Sequence, residues 1–576
     1  MTQRNALKYI KNIGLVLLAS AFVVPAYAKE QKQAAESIAI GSAGNYLASQ
    51  FARSEGDMES ATRYLKRVHA GDTGNQQVTG QLIGTMLLDG KVDEALRLSR
   101  SSSSLPETDP LSSLINTLDE VKQNKLTSVM KRLVAAEKTG TVQLWHPLLK
   151  AWVKASEQKL MAPYSIEDIV GKSENAAPLM YYHLALINSF AGFNEVAAQN
   201  YKDAIGDPKN PPSRVMDSLL QFYDANGAPD VLAPIVNGFL EEHPENGLQS
   251  DFSPIDNLHA GVAEVMYTMG NIMHVAGATH DAVIYLQLAL YLQPDMGVAA
   301  RTLGDAYAAL QMYERSNVAY ARIVASDRYY VRGRLGMVAN YNKLDKTKEA
   351  FRLLDQMINA KPPVQEAIVA KADLLRMKSR YKEAVETYTL ALQQIKTLSK
   401  EHWPILFARA ASLERLGKWK FAEKDLLNAL DLNPEQPDVL NYLGFTWLVQ
   451  GRKLQEARAM LERAIKMRPN DPQIVDSMGW ALYLLGQYNE AEKHIVKAVS
   501  LIPSDPVVND HLGDVYWRQG RFDEARFQWE RSLSYSPDEE LAESIRKKLK
   551  EGLPSLDVAG KKPLVSAEND VGSLVH

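Results

Sequence analysis

The feature that most constrains this chain is that it repeats itself. Shifted against itself by about 34 residues, it brings small residues and aromatics into register over more than half its length. Leu512-Gly513-Asp514-Val515-Tyr516, followed by Gly520-Arg521-Phe522-Asp523-Glu524-Ala525 and Pro537, lines up with Leu303-Gly304-Asp305-Ala306-Tyr307. The same register holds Met269-Gly270, Leu443-Gly444 and Met478-Gly479. Twelve or thirteen residues later come Ala282, Ala350, Ala384, Ala422, Ala457, Ala491 and Ala525, and the units close on Pro294, Pro362, Pro434, Pro469, Pro503 and Pro537. At 576 residues the chain is too long for one ordinary core, and 46% hydrophobic with 23% charged residues excludes both overall disorder and a collagen-like fibre.

Each unit reads as a helix, a tight turn and a second helix. The small residue of helix A lets helix B approach closely, the Ala near the start of helix B receives it, and larger residues at helical spacing fill the space between units. Proline closes a unit because it fits a helix start or a connection but not a helix interior. This pattern resembles the tetratricopeptide repeat, and the resemblance implies an all-α superhelical solenoid of antiparallel helix pairs. Eight units are expected over 263–537, with a few extra residues near Leu398 and one near Lys453.

Upstream the marks are sparser: Gly56-Asp57 with Ala61, Gly90-Lys91 with Glu94-Ala95, Gly192-Phe193 with Ala197 and Tyr201, and Tyr223 with Gly227 and Pro244. Residues 29–246 are expected to hold five or six divergent helix pairs. Ser99 to Pro110, Gly206 to Ser213 and Glu245 to Asp256 read as loops, and a junction at 247–262 is expected to break the array into two arms. Asp538 to Glu551 reads as the polar-faced capping helix that an open solenoid needs, and 552–576 as a mobile tail.

The first 28 residues predict export. Arg4, Lys8 and Lys11 form a basic region, Ile13 to Val24 a short apolar run, and Ala26-Tyr27-Ala28 a small-residue cleavage site. A cleaved leader would leave a periplasmic chain starting at Lys29, and loss of its three cations takes the formal charge from −4 to −7. An uncleaved leader acting as an anchor is the alternative.

Several chemistries are absent. The 65 Lys and Arg against 69 Asp and Glu leave no surplus positive charge for a nucleic-acid backbone. Without cysteine there are no disulfides, thiolate zinc sites, Cys nucleophiles or lipid-accepting Cys. Gly171-Lys172-Ser173 lacks the glycine that a phosphate-binding loop needs, since Ile166 stands there. The 11 histidines form no His-x-x-x-His, and His274 and His280 fall nearly opposite on a helix. No Gly-x-Ser-x-Gly elbow occurs. No catalytic residue, cofactor, metal or small-molecule substrate is expected.

Function is therefore expected on a surface. The resemblance implies a concave face lined by helix A positions 2, 5, 9, 12 and 13, counting the small residue as position 8. In the last three units position 5 reads Asn441, Asp476 and Asp510; position 9 reads Phe445, Trp480 and Asp514. Position 12 reads Leu448, Tyr483 and Trp517; position 13 reads Val449, Leu484 and Arg518. Large aromatics there offer apolar area for little lost freedom, so Phe445, Trp480, Tyr483 and Trp517 are expected to form an apolar track with an acidic edge of Asp476, Asp510 and Asp514. The expected ligand is a protein segment with apolar anchors and a basic group. The rival is packing between A helices or under the chain's own tail. Trp447, Tyr516, Tyr313, Trp419, Phe522 and Trp529 are expected to pack within the repeats.

Leu443-Gly444-Phe445-Thr446, Asp476-Ser477-Met478-Gly479-Trp480 and His511-Leu512-Gly513-Asp514-Val515-Tyr516-Trp517 resemble the end of a family of bacterial envelope proteins of about this length. The family includes the lipoprotein adaptor of a periplasmic carboxyl-terminal processing protease, which scaffolds that protease and its cell-wall hydrolase substrates. The resemblance implies a non-catalytic periplasmic scaffold, although the missing lipid-accepting Cys departs from it. The alternatives are an envelope assembly or secretion component, for exopolysaccharide or outer-membrane biogenesis, and more remotely an enzyme of unfamiliar arrangement.

Overall fold

The computed structural model describes residues 41–102, 110–139, 145–157, 162–170, 178–207, 211–227, 229–242 and 252–554. The expected leader, the Gly171-Lys172-Ser173 segment and the tail beyond 554 lie outside them. Among the described residues every regular element is a helix, and they follow one another as antiparallel pairs. None of these helices is long and apolar enough to cross a membrane.

The pairing follows from the register. A Cβ on Gly444 would stand 2.8 Å from the Ala457 carbonyl, one on Gly479 2.4 Å from Ile495, and one on Gly304 2.3 Å from the Tyr320 ring. Helices A and B thus touch where only glycine fits. Pro472 and Pro506 open helices Pro472–Leu484 and Pro506–Arg518, and the preceding Asp471 and Asp505 accept hydrogen bonds from the Ile474 and Val508 amides. The irregular residues are absorbed outside the pairs: those near Leu398 lead into a short 3-10 turn at Lys400–His402, and Lys453 takes a left-handed conformation with its ammonium 4.0 Å from the centre of the Trp447 ring.

The chain divides into two compact units at Leu353/Leu354, inside helix Thr347–Ile358. The boundary is not at the expected 247–262 junction. One apolar core runs from Met58 to Ile323 through that junction. Phe252, expected in an exposed loop, is buried, with the Arg214 guanidinium 4.3 Å from the centre of its ring. Residues 76–122 also fold back onto the later repeats of this unit. The Tyr307 hydroxyl donates to the Leu88 carbonyl at 2.8 Å, Tyr291 donates to Asp119 at 2.8 Å, and Asp89 is paired with both Arg315 and Lys91. The contacts of Tyr307, Tyr291 and Arg315 join residues more than 170 positions apart, which no short-period pattern encodes.

Of the side chains expected to pack within repeats, Trp447 and Trp529 are buried, while Tyr313, Trp419 and Tyr516 are half-buried. Phe522 departs from expectation: it is 50% exposed, with its ring against the Trp517 ring, 4.6 Å between centres.

The first unit carries a buried polar knot whose charge depends on pH. Glu264 accepts from Tyr182 at 2.8 Å and from Arg214 at 3.0 and 2.6 Å. Burial by itself would raise Glu264, but the Arg214 charge and these hydrogen bonds outweigh it and hold the carboxyl below its usual range. Beside it His183 is fully buried with neither ring nitrogen hydrogen-bonded, and burial pushes it down to about 4. A histidine lowered in the fold binds its proton more readily when unfolded. Its stabilising effect is therefore complete above the unfolded value near 6.5 and is lost as pH falls toward 4. We expect unfolding of the first unit to become easier by about 3 kcal/mol across that window. Urea melts at several pH values should show a shallower dependence for His183→Leu; an unchanged dependence would place the acid sensitivity elsewhere.

Candidate partner-binding surface

Helices A of the second unit are Gln365–Met377, Trp403–Arg415, Pro437–Val449, Pro472–Leu484 and Pro506–Arg518. The positions expected to face a partner divide sharply between buried and accessible. Positions 5 and 9 of the last three are buried: Asn441, Asp476 and Asp510, then Phe445, Trp480 and Asp514, with Phe445 only 3% and Trp480 only 5% exposed. Leu448 at position 12 is buried too. The expected open aromatic track is closed.

Its occupant is the next helix A. The Trp480 ring is stacked between Tyr483, 4.5 Å between centres, and His511 of the following unit, 4.0 Å away. Nδ1 of His511 lies 2.9 Å from the Asp476 carboxylate. The expected acidic edge is likewise consumed inside the protein. Asp510 and Asp514 receive Lys548 Nζ at 2.7 and 2.9 Å, from the terminal helix Glu539–Glu551. Burial pushes the Asp510 carboxyl upward, against the pull of Lys548. For Lys548 itself burial would lower the value, and the two carboxylates override it and raise it above the usual lysine range.

The terminal helix thus takes the place of one more helix A. Lys548 falls one repeat length after Asp514, which is the signal in the sequence that could have found it. Beyond it Gly552, at φ +71°, lets the chain turn across Trp517, where a Cβ would come within 2.0 Å of the ring. Arg518 donates to the Pro554 carbonyl at 2.7 Å and to the Tyr483 hydroxyl at 3.3 Å. The rival expectation of packing describes Phe445, Leu448 and Trp480, and the start of the terminal segment covers Trp517.

What stays accessible is the end of each helix A. Along positions 12 and 13, Arg376, Glu414, Tyr483, Trp517, Val449, Leu484 and Arg518 are part-exposed, while Arg415 is exposed and Met377 is 59% exposed. Arg376, Met377, Glu414 and Arg415 belong to units that the sequence reading left aside. Nearby, Phe407 is half-buried and its ring meets the Tyr442 ring edge-on, 5.5 Å between centres. Burial raises Glu414, although the Tyr442 hydroxyl lies 3.4 Å from it. Among the described residues no group of three His, Asp or Glu side chains is placed to hold a metal ion.

A family model matches part of this unit. The tetratricopeptide repeat family model fits residues 407–472, 448–506 and 477–539. A TPR repeat-containing protein of Pseudomonas aeruginosa is 28% identical over 154 residues, which are 27% of this chain and 25% of that protein. The match spans a quarter of that relative's length. Among solved structures, a thermophilic TPR protein of Thermus thermophilus aligns with 32% of this chain and 100% of its own at 20% identity and a TM-score of 0.29. The Cut9–Hcn1 hetero-tetramer of the APC/C aligns with 88% of this chain and 96% of its own at 15% identity and a TM-score of 0.39.

Proposed function

We propose, from the premise that this chain is a tetratricopeptide repeat protein, that it is a non-catalytic scaffold of the bacterial cell envelope. Its partner segment lies along positions 12 and 13 of the second unit's A helices. The observation that carries this reading is the row of accessible side chains at one register, Arg376, Met377, Glu414, Arg415, Tyr483 and Arg518, beside positions 5 and 9 that packing has consumed. The exported setting rests on Arg4, Lys8, Lys11 and Ala26-Tyr27-Ala28. Adaptor duty between a protease and cell-wall hydrolases rests on the resemblance of 437–537.

The charge on the row changes the expected ligand. Asp476, Asp510 and Asp514 are paired inside the protein, so the row carries three arginines against Glu414. The partner segment therefore needs an acidic group together with an apolar anchor for Met377. The apolar anchor carries most of the affinity, because exposed ion pairs contribute about 0–1 kcal/mol each and are screened by salt.

A photo-crosslinking residue at Met377 or Arg415, expressed in the native cell, should capture a protease or hydrolase. The same residue at Phe421, which is 61% exposed on a B helix, should not. Equal capture at all three positions would remove the surface assignment. N-terminal sequencing of the fractionated protein separately tests the compartment: a cytosolic chain starting at Met1 would remove the envelope reading while leaving the surface standing.

A further inference from the structure

A cavity of about 360 Å³ in the first unit, between helices Val92–Ser101, Pro110–Lys122 and Leu126–Thr139, has a lining unlike the rest of the array. The space between successive helix pairs is normally apolar and close-packed. Among the described residues its lining side chains are all polar or charged. Its size is that of a small-molecule site, and its wall is too polar to stay dry.

The hydrogen-bond inventory of the wall defines what would complete it. Both acids are already engaged. Asp119 accepts from Gln123 at 2.7 Å and from Tyr291 at 2.8 Å and is paired with Arg100; Glu120 accepts from Arg132 at 2.8 and 3.4 Å. The cations keep donors in reserve. Arg100 reaches Asp119 through one amino group, Arg132 reaches Glu120 through Nε and one amino group, and Lys125, next to the left-handed Asn124, also lines the cavity. One acceptor points the other way: Asn116 donates to Ser99 at 3.0 Å, and its own carbonyl oxygen is buried without a donor. Three cationic donors around one unfilled acceptor match a ligand that carries an oxyanion and a hydroxyl on the same small frame.

We propose that this cavity binds a small hydroxylated oxyanion, of the size and chemistry of an acidic sugar or a sugar phosphate. The site lies in the first unit, is independent of the partner row in the second, and runs against the sequence expectation of no small-molecule ligand. The oxyanion sits against Arg100, Arg132 and Lys125, and a hydroxyl donates to Asn116. The test is calorimetric titration of the full chain with glucuronate, glucose 6-phosphate, inorganic phosphate and glucose. Glucuronate or glucose 6-phosphate should bind, and which of the two binds more tightly identifies the anion as carboxylate or phosphate. Glucose should not bind. Asn116→Leu should weaken the hydroxylated anion about tenfold and leave inorganic phosphate unchanged. Lys125→Gln, at an exposed position, should weaken every anion and reduce the salt dependence. Failure of all four probes to bind at millimolar concentration, binding of glucose as tightly as glucuronate, or wild-type affinity in Lys125→Gln would each overturn the site.

Discussion

Replacing Lys548 by Ala should unlatch the carboxyl-terminal end of the second unit at a cost of about 3–5 kcal/mol, because it leaves two buried carboxylates facing each other without a counter-charge. All three groups are almost inaccessible, with side-chain exposures of 15% for Lys548, 6% for Asp510 and 5% for Asp514, so solvent screening does little to soften the loss. The rest of the latch is slight. Helix Glu539–Glu551 buries only Ala542 and Ile545 fully, and Arg526 and Arg518 hold it by the backbone carbonyls of Leu549 and Pro554. Hydrogen exchange should therefore show early loss of protection over 506–551 with little change in the first unit. Exchanging all three charges together, Lys548→Met with Asp510→Asn and Asp514→Asn, should restore most of the stability, since a buried ion pair replaced by neutral groups of similar volume is close to neutral. A Lys548→Ala melt within about 1 kcal/mol of wild type would mean that the ammonium is not buried between the carboxylates.

A leucine at Gly513 should be equally damaging for a different reason. A Cβ alone would stand 2.4 Å from the Trp529 ring and 3.1 Å from the Ala525 carbonyl, and the same ring donates its Nε1–H to Asp514 at 2.9 Å. Moving the indole to make room gives up that hydrogen bond beside the Lys548 pair. Overpacking costs about 1–3 kcal/mol, and the backbone carbonyl, which has no rotamer to yield with, places this case at about 3 kcal/mol or more. Units of an array couple mainly to their neighbours, so exchange should accelerate around Pro506–Ser534 well before it does around Tyr313–Ala321. Uniform acceleration through both units would contradict a quasi-linear array. Gly513→Ala, which keeps the Cβ clash and adds nothing more, should fall between wild type and Gly513→Leu.

The helix pairs were legible because their determinants are local. Gly479 against Ile495 and Gly444 against Ala457 are contacts within one unit, and a shift of about 34 residues displays them in the sequence. Asp471-Pro472 and Asp505-Pro506 announce helix starts for the same reason, since a cap and its amide lie three residues apart. The partner surface was legible only in its register. Positions 12 and 13 were identified, but the sequence could not separate them from 5 and 9, because all four lie on the same side of one helix. Whether a neighbour covers a position depends on how tightly successive A helices close on each other. Here they close far enough to place His511 on Trp480 and Asp476, and Lys548 on Asp510 and Asp514.

The sequence by itself determined the all-α repeat, the close contact inside each pair and the capping helix, all of which rest on local patterning or on interactions spanning about one repeat length. Only the tertiary structure decided three other things. It moved the division of the chain to Leu353/Leu354, because the fold-back of residues 76–122 onto 258–321 joins the early helices to the later ones. It turned the expected acidic and aromatic track into packing. It also brought Ser99, Asn116 and Arg132 around one polar cavity. The fold-back and the cavity join side chains whose separation in sequence follows no period, and a one-dimensional pattern carries no record of such pairs. The track is packed by partners about one repeat apart, Asp476 with His511 and Asp514 with Lys548, and only the closeness of successive A helices in space decides that they meet.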